Sequence, residues 1–203
     1  MPKSNILFWD GDGSEARRQH VANVSSQADR ISDASVLEGD HEALAAEIAS
    51  AGSVQVPVLD RTDISYERKQ RTVDGEDHWG ERRRYQQTVL QFEVPFTGDS
   101  TIFKLRPMTY DSGPPYADVG RTSLIVSIVD NNDPEATKRE LDRTLDDIEK
   151  YLGWHKPLWE NVQADITHNV TETLRNRKQK LEQHRKSDDG LAAFGFKPKG
   201  TQA

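Results

Sequence analysis

The stretch DPEATKRELDRTLDDIEKYLGWHKPLWENVQADITHNVTETLRNRKQKLEQHRK, residues 133–186, decides how this chain folds. Asp133 can accept hydrogen bonds from the first free amides of a helix. Pro134 suits a first turn, and Glu135 suits the positive end of the helix dipole. Leu141, Leu145, Ile148 and Leu152 then form one apolar stripe at helical spacing. Gly153 is expected to break that helix, and a second, longer one is expected from near Pro157. In it Leu158, Val162, Ile166, Val170 and Leu174 recur every four residues, with Leu181 extending the row. A four-residue step drifts by ~40° each time, so the stripe winds and must touch more than one neighbour. Asp188-Asp189-Gly190 reads as the stop. Leu191 to Phe196 reads as a short apolar segment folding back onto the core.

Upstream the period changes from helical to alternating. Leu90, Phe92, Val94 and Phe96 share one face of a strand from Tyr85 to Phe96, with Gln91 and Glu93 on the other. Thr97 to Ser100 reads as a turn, and Thr101 to Leu105 as the returning partner strand. Thr122 to Val129 is a last strand, dense in β-branched residues. Val54 to Val58 and Ile64 to Gln70 are weaker strands, because Pro57 cannot donate to a ladder and the second is polar. Residues 71–81 read as an exposed loop or hairpin tip. Arg106 to Gly120, with three prolines, reads as a long irregular loop of the kind that often carries function. Asp40 caps a helix from His41 to Ala51, ended by Gly52. A weak helix fits residues 14–24.

The expected fold is α+β: a small antiparallel sheet of four to six strands followed by two C-terminal helices, the second long. The organisation divides as 1–52, an N-terminal extension with a short helix; 53–130, the antiparallel β region; and 131–203, the helical region and tail.

Composition narrows the function. The chain is 34% hydrophobic and 30% charged, which points to long solvated helix faces. A net charge of −7 argues against a surface that is basic throughout, as many dedicated nucleic-acid binders have. The absence of cysteine excludes disulfides, thiolate metal sites and a cysteine nucleophile. The apolar run Ile6 to Trp9 is too short for a signal peptide or a membrane span, so a cytoplasmic protein without membrane contact is expected.

No catalytic constellation dominates. Asp10-Gly11-Asp12-Gly13-Ser14 after an apolar run resembles the opening motif of haloacid-dehalogenase-like phosphatases. The alternating strands and helices of that fold do not follow, and a surface turn is the better reading. The same stretch has Glu15 and Val21 where a calcium loop needs glycine and a bidentate acid. Asp60, Glu67 and Lys69 match the acid–acid–lysine set with which nucleases hold Mg²⁺ and activate water; in so charged a chain such spacing also arises by chance. The six histidines show no metal-ligand spacing, and no phosphate-cradling glycine loop occurs. No cofactor is expected.

Arg175, Arg177, Lys178 and Lys180 crowd the far end of the long helix. They read as a solvated end complementing the dipole in preference to a phosphate-contacting patch. Trp154 and Trp159 flank the start of that helix and read as interface plugs, or as a partner surface if exposed.

Four stretches carry a family resemblance: Val94 to Asp99 with Phe103 and Pro107; Leu145 to Leu152; Arg175 to Leu181; and Phe194 to Pro198. Together they resemble a poorly characterised prokaryotic module that precedes restriction-endonuclease-like or TIR effector domains in antiviral defence proteins. The likeness covers roughly residues 55–199, and its motifs are structural. It implies a non-catalytic subunit or adaptor of a bacterial antiviral defence complex, which senses a trigger or regulates an effector. The sequence ends at Ala203 without an effector, so a separate effector protein is the expected partner. Trp154, Trp159, Arg175, Arg177, Lys178 and Lys180 are its candidate contacts, and self-association remains open. A Mg²⁺-dependent nuclease using Asp60, Glu67 and Lys69 is the alternative, followed by a nucleic-acid-binding accessory protein.

Overall fold

The structure is a computed structural model, and it describes residues 6–76 and 81–196. It is α+β, as the periodicities require. The chain forms two compact units, Met1–Arg17 with Val54–Glu160, and Arg18–Ser53 with Asn161–Ala203.

The first unit is built on a five-stranded sheet. Its centre is β4 (Arg82–Thr97). One edge of β4 pairs with β2 (Val58–Leu59) and with β3 (Ser65–Glu76), and the other with β7 (Ser123–Val129), all antiparallel. β6 (Asp118–Val119) adds outside β7. Leu90, Phe92 and Val94 lie directly across from Ile128, Val126 and Leu124. That register puts the alternating apolar residues of both strands on one face, and all but the half-buried Phe92 are buried. The helix α4 (Pro134–Trp159) covers this face with Leu141, Leu145, Ile148 and Leu152. Each such side chain contributes roughly 1.5–3 kcal/mol on full burial. Asp133 caps α4 as expected, accepting from the Ala136 amide at 3.0 Å.

A separate parallel pair joins β1 (Gly11–Asp12) to β5 (Leu105–Arg106). β1 runs straight into α1 (Gly13–Ser25), whose residues from Arg18 onward belong to the second unit.

In the second unit α5 (Val162–Ala193) buries the four-step row Val162, Ile166, Val170 and Leu174. The winding of that row is realised: α5 packs on α2 (Asp33–Glu38), on α3 (His41–Ala51) and on the 3-10 turn Ser26–Arg30. Beyond Leu174 the row ends, with Leu181 half-buried. Gly52 is fixed by packing, because a Cβ there would lie 2.6 Å from Val24 Cγ1 and 3.2 Å from Ile166 Cδ1.

Four local expectations are corrected. Gly153 does not break α4, which runs through it to Trp159, and the break falls at Glu160–Asn161. An exposed helical glycine costs only about 1 kcal/mol, less than the burial of Tyr151, Leu152 and His155 on either side of it. Thr101 to Leu105 is not the hairpin partner of β4. Asp99 Oδ1 accepts from the Thr101 amide and hydroxyl at 3.1 and 2.8 Å and winds Ser100–Lys104 into a 3-10 turn. That turn buries the adjacent Ile102 and Phe103 together, which a strand would send to opposite faces. The partner is β3, which continues to Glu76 through part of the expected loop. Finally, α5 passes through Asp188-Asp189-Gly190, and Leu191, Phe194 and Phe196 stay exposed instead of folding back. Among the described residues no helix is long and apolar enough to cross a membrane.

Candidate docking surface

The first unit holds the irregular loop between β5 and β6 at three points. Its two ends are clamped by the N-terminal segment. Leu7 donates its amide to Pro115 O at 2.9 Å, Ile6 bridges Tyr116, Phe8 donates to Phe103 O at 2.6 Å, and Asp10 to Lys104 O at 2.8 Å. The segment stays there because Leu7 and Phe8 are both buried. The Phe8 ring stacks on Tyr151 at 5.0 Å and meets Phe103 at 6.0 Å and His155 at 5.8 Å. Phe8 has φ +57, a left-handed backbone that costs a bulky residue on the order of 1–2 kcal/mol. The buried ring offsets that strain, and the turn leaves Ile6 and Trp9 at the surface.

The third point is the middle of the loop. Tyr151 Oη donates to Asp111 Oδ1 at 2.6 Å, and Lys150 Nζ donates to Asp111 Oδ2 at 2.7 Å. The Asp111 amide in turn reaches Tyr151 Oη at 3.3 Å. The Lys150 ammonium, then the Tyr151 hydroxyl, hold the Asp111 carboxyl down at about 2. Burial, then the bond to Asp111, pushes the Tyr151 phenol up to about 12. Both groups therefore keep these protonation states across neutral pH, and the strap holds.

The strapped loop displays apolar and aromatic groups. Met108, Tyr110 and Tyr116 are 75%, 53% and 55% exposed, and Trp9, on the clamping segment, is 54% exposed. Arg106 lies 5.2 Å over the Tyr110 ring, which orients the phenol without burying it. On α4, Lys150 lies 4.9 Å over the Trp154 ring, and Trp154 meets Tyr151 edge-on at 4.8 Å. Trp154 is half-buried. Beneath, His155 is fully buried and bonds Leu105 O through Nε2 at 2.8 Å. Burial depresses its pKa against the opposing pull of that bond, so the imidazole is a neutral prop.

The other sequence candidates fall elsewhere. Trp159 is buried and offers no surface. Arg177 is a structural strap, donating to Ala28 O at 2.8 Å, Ile31 O at 2.9 Å and Asp33 Oδ1 at 2.7 Å. Arg175 and Lys180 are exposed and Lys178 half-buried. Arg175 and Lys178 line a cleft rimmed also by the acids Asp40, Glu42 and Glu182, which opposes anion binding. Asp60 turns its carboxylate to Thr62, accepting from the amide at 2.9 Å and the hydroxyl at 2.6 Å. The Thr62 hydroxyl bond, first of its causes, lowers the Asp60 pKa. Its amide reaches Pro95 O, whereas Glu67 pairs with Gln91. The two acids are thus four β4 residues apart, about 13 Å, and Lys69 pairs with Glu67. The acid–acid–lysine set is not assembled. Among the described residues no group of three or more acids and histidines could hold a metal ion. Asp12 Oδ1 caps α1 through the Glu15 amide at 3.0 Å, a structural role for the phosphatase-like motif.

In the sequence the loop is marked only by its length, and no local pattern singles out Met108, Tyr110 and Tyr116. The pairing of Asp111 with Lys150 and Tyr151 spans about forty residues and leaves no local pattern. No family model, curated protein or solved structure matches the chain.

Proposed function

We propose that this chain is a non-catalytic docking subunit, an adaptor in a bacterial antiviral defence complex, whose partner is a separate effector protein. The observation that carries the docking reading is the strapped loop. Large apolar side chains stand more than half exposed on a backbone fixed at both ends and in the middle. A preordered aromatic surface binds with little ordering cost, and tyrosine, tryptophan and arginine are the residues that dominate binding hot spots. The defence setting rests on the resemblance of four sequence stretches described above.

The test replaces Met108, Tyr110 and Tyr116 together by serine and repeats purification from native lysate with mass spectrometry. The reading expects an effector-bearing protein to co-purify with the parent chain and to be lost with the triple variant. Co-purification unchanged by the triple variant, or a strictly monomeric parent chain in a host that encodes such effectors, contradicts it.

A further inference from the structure

The edge strand β3 offers a second surface. Twelve consecutive register pairs, from Ser65↔Glu93 to Glu76↔Arg82, tie β3 to β4 without a bulge or a proline. Among the described residues the other edge of β3 is unpaired. A long regular edge is a template for another strand, and charged side chains are the usual protection. Here the charges do more than protect.

Two features lie along this edge on opposite faces. On the face shared with α4 is a cavity of about 430 Å³. Leu90, Phe92 and Leu141 form its apolar floor, and Tyr66 forms a wall with its ring 5.8 Å from that of Phe92. Arg68 stands at the rim, neutralised by Asp130 at 2.8 Å. The volume lies in the range of ordinary ligand pockets, larger than one apolar side chain requires. On the opposite face stands Arg71. Lys69 is neutralised by Glu67, but among the described residues Arg71 Nε is shielded from water without a hydrogen-bond partner. A shielded, unpaired donor on a guanidinium is costly and asks for an acceptor.

The pleat connects the two. A strand laid along β3 has its side chains alternate between faces. Its residue across from Arg68 would face the cavity. Its residue across from Arg71 would face the guanidinium, three positions away. Antiparallel pairing is the mode of the whole sheet and the more stable one, and it places the Arg71 partner first in the added chain. We propose that β3 binds an extended peptide segment of a partner by strand addition, with an acidic residue on Arg71 and a large apolar residue three positions later in the Tyr66 cavity. Backbone bonds give affinity in this mode, and the two side chains give specificity.

The probe is a random octapeptide phage library panned on the whole chain. The best peptide is then synthesised with a fluorescein label for anisotropy titration. The expected selection is acidic-x-x-large apolar. Tyr66→Ala, at an exposed position, should weaken binding at least ten-fold while the circular-dichroism melt stays unchanged. Panning on Arg71→Glu should move the selected charge from acidic to basic. Hydrogen exchange should slow in residues 65–76 on binding. Three results overturn the proposal: selection without that pattern, binding undiminished by both variants, or a dimer of the chain that covers β3. The Met108, Tyr110 and Tyr116 triple-serine variant should leave peptide binding unchanged, so failure of this site and failure of the loop surface are read apart.

Discussion

Replacing Tyr151 by phenylalanine should loosen a surface that Tyr151 itself does not reach. The ring is buried and stacked on Phe8, so the variant keeps the packing and removes only the hydroxyl. That hydroxyl donates to Asp111 Oδ1 at 2.6 Å and accepts from the Asp111 amide at 3.3 Å. The carboxylate end of that bond stands in solvent and is screened, so its loss is that of one ordinary hydrogen bond. At about 1.4 kcal/mol per decade, amide exchange in residues 106–117 should rise on the order of ten-fold. Peptides covering residues 89–96 should keep their rates, because the sheet is untouched. Exchange followed by mass spectrometry on parent and variant reads both at once. Loop exchange that does not change, or an equal rise across loop and sheet, refutes the strap.

The remaining expectations concern pH, packing and charge. The Asp111 pKa is depressed to about 2 from 3.8, so its contribution is present above about 4 and is lost as the pH falls through about 2; tryptophan fluorescence, which senses Trp154 beside Lys150, should stay flat from neutrality to pH 4 and change below it. Gly52→Ala should cost about 1–3 kcal/mol in urea melts by overpacking against Val24. Gly153→Ala, with nothing within 4 Å of the new Cβ, should stabilise by about 1 kcal/mol. Arg177→Ala should destabilise by about 2 kcal/mol through its lost carbonyl and Asp33 bonds, whereas Arg175→Ala should stay within about 0.5 kcal/mol in the same melts.

The strongly periodic elements were legible in the sequence. The Leu90-to-Phe96 alternation placed the central strand, and the Val162-to-Leu174 row placed α5 and its several neighbours, because burial follows period closely. The elements that misled were those where local chemistry opposed pattern. Asp99 drew Thr101 into a 3-10 turn that no alternation announces. Gly153 sat on an exposed face where its cost is small, so neighbouring burial carried the helix through it. The candidate docking surface was legible only as a long loop. Its strap joins Asp111 to α4, and its clamp joins Leu7 to Pro115 across more than a hundred residues; such pairings arise from the fold alone. Arg177 looked like one of several surface bases, and only its bonds to Ala28, Ile31 and Asp33 set it apart.

Docking of another protein at the strapped loop is tested most directly by a photo-reactive phenylalanine analogue at Tyr110, with the same analogue at the exposed Glu172 as control, irradiated in native lysate. One dominant cross-linked partner is predicted from position 110, reduced when Tyr151 is also phenylalanine, and none of that species from position 172. Equal cross-linking from both positions, or none from position 110 in a lysate where the partner co-purifies, contradicts it.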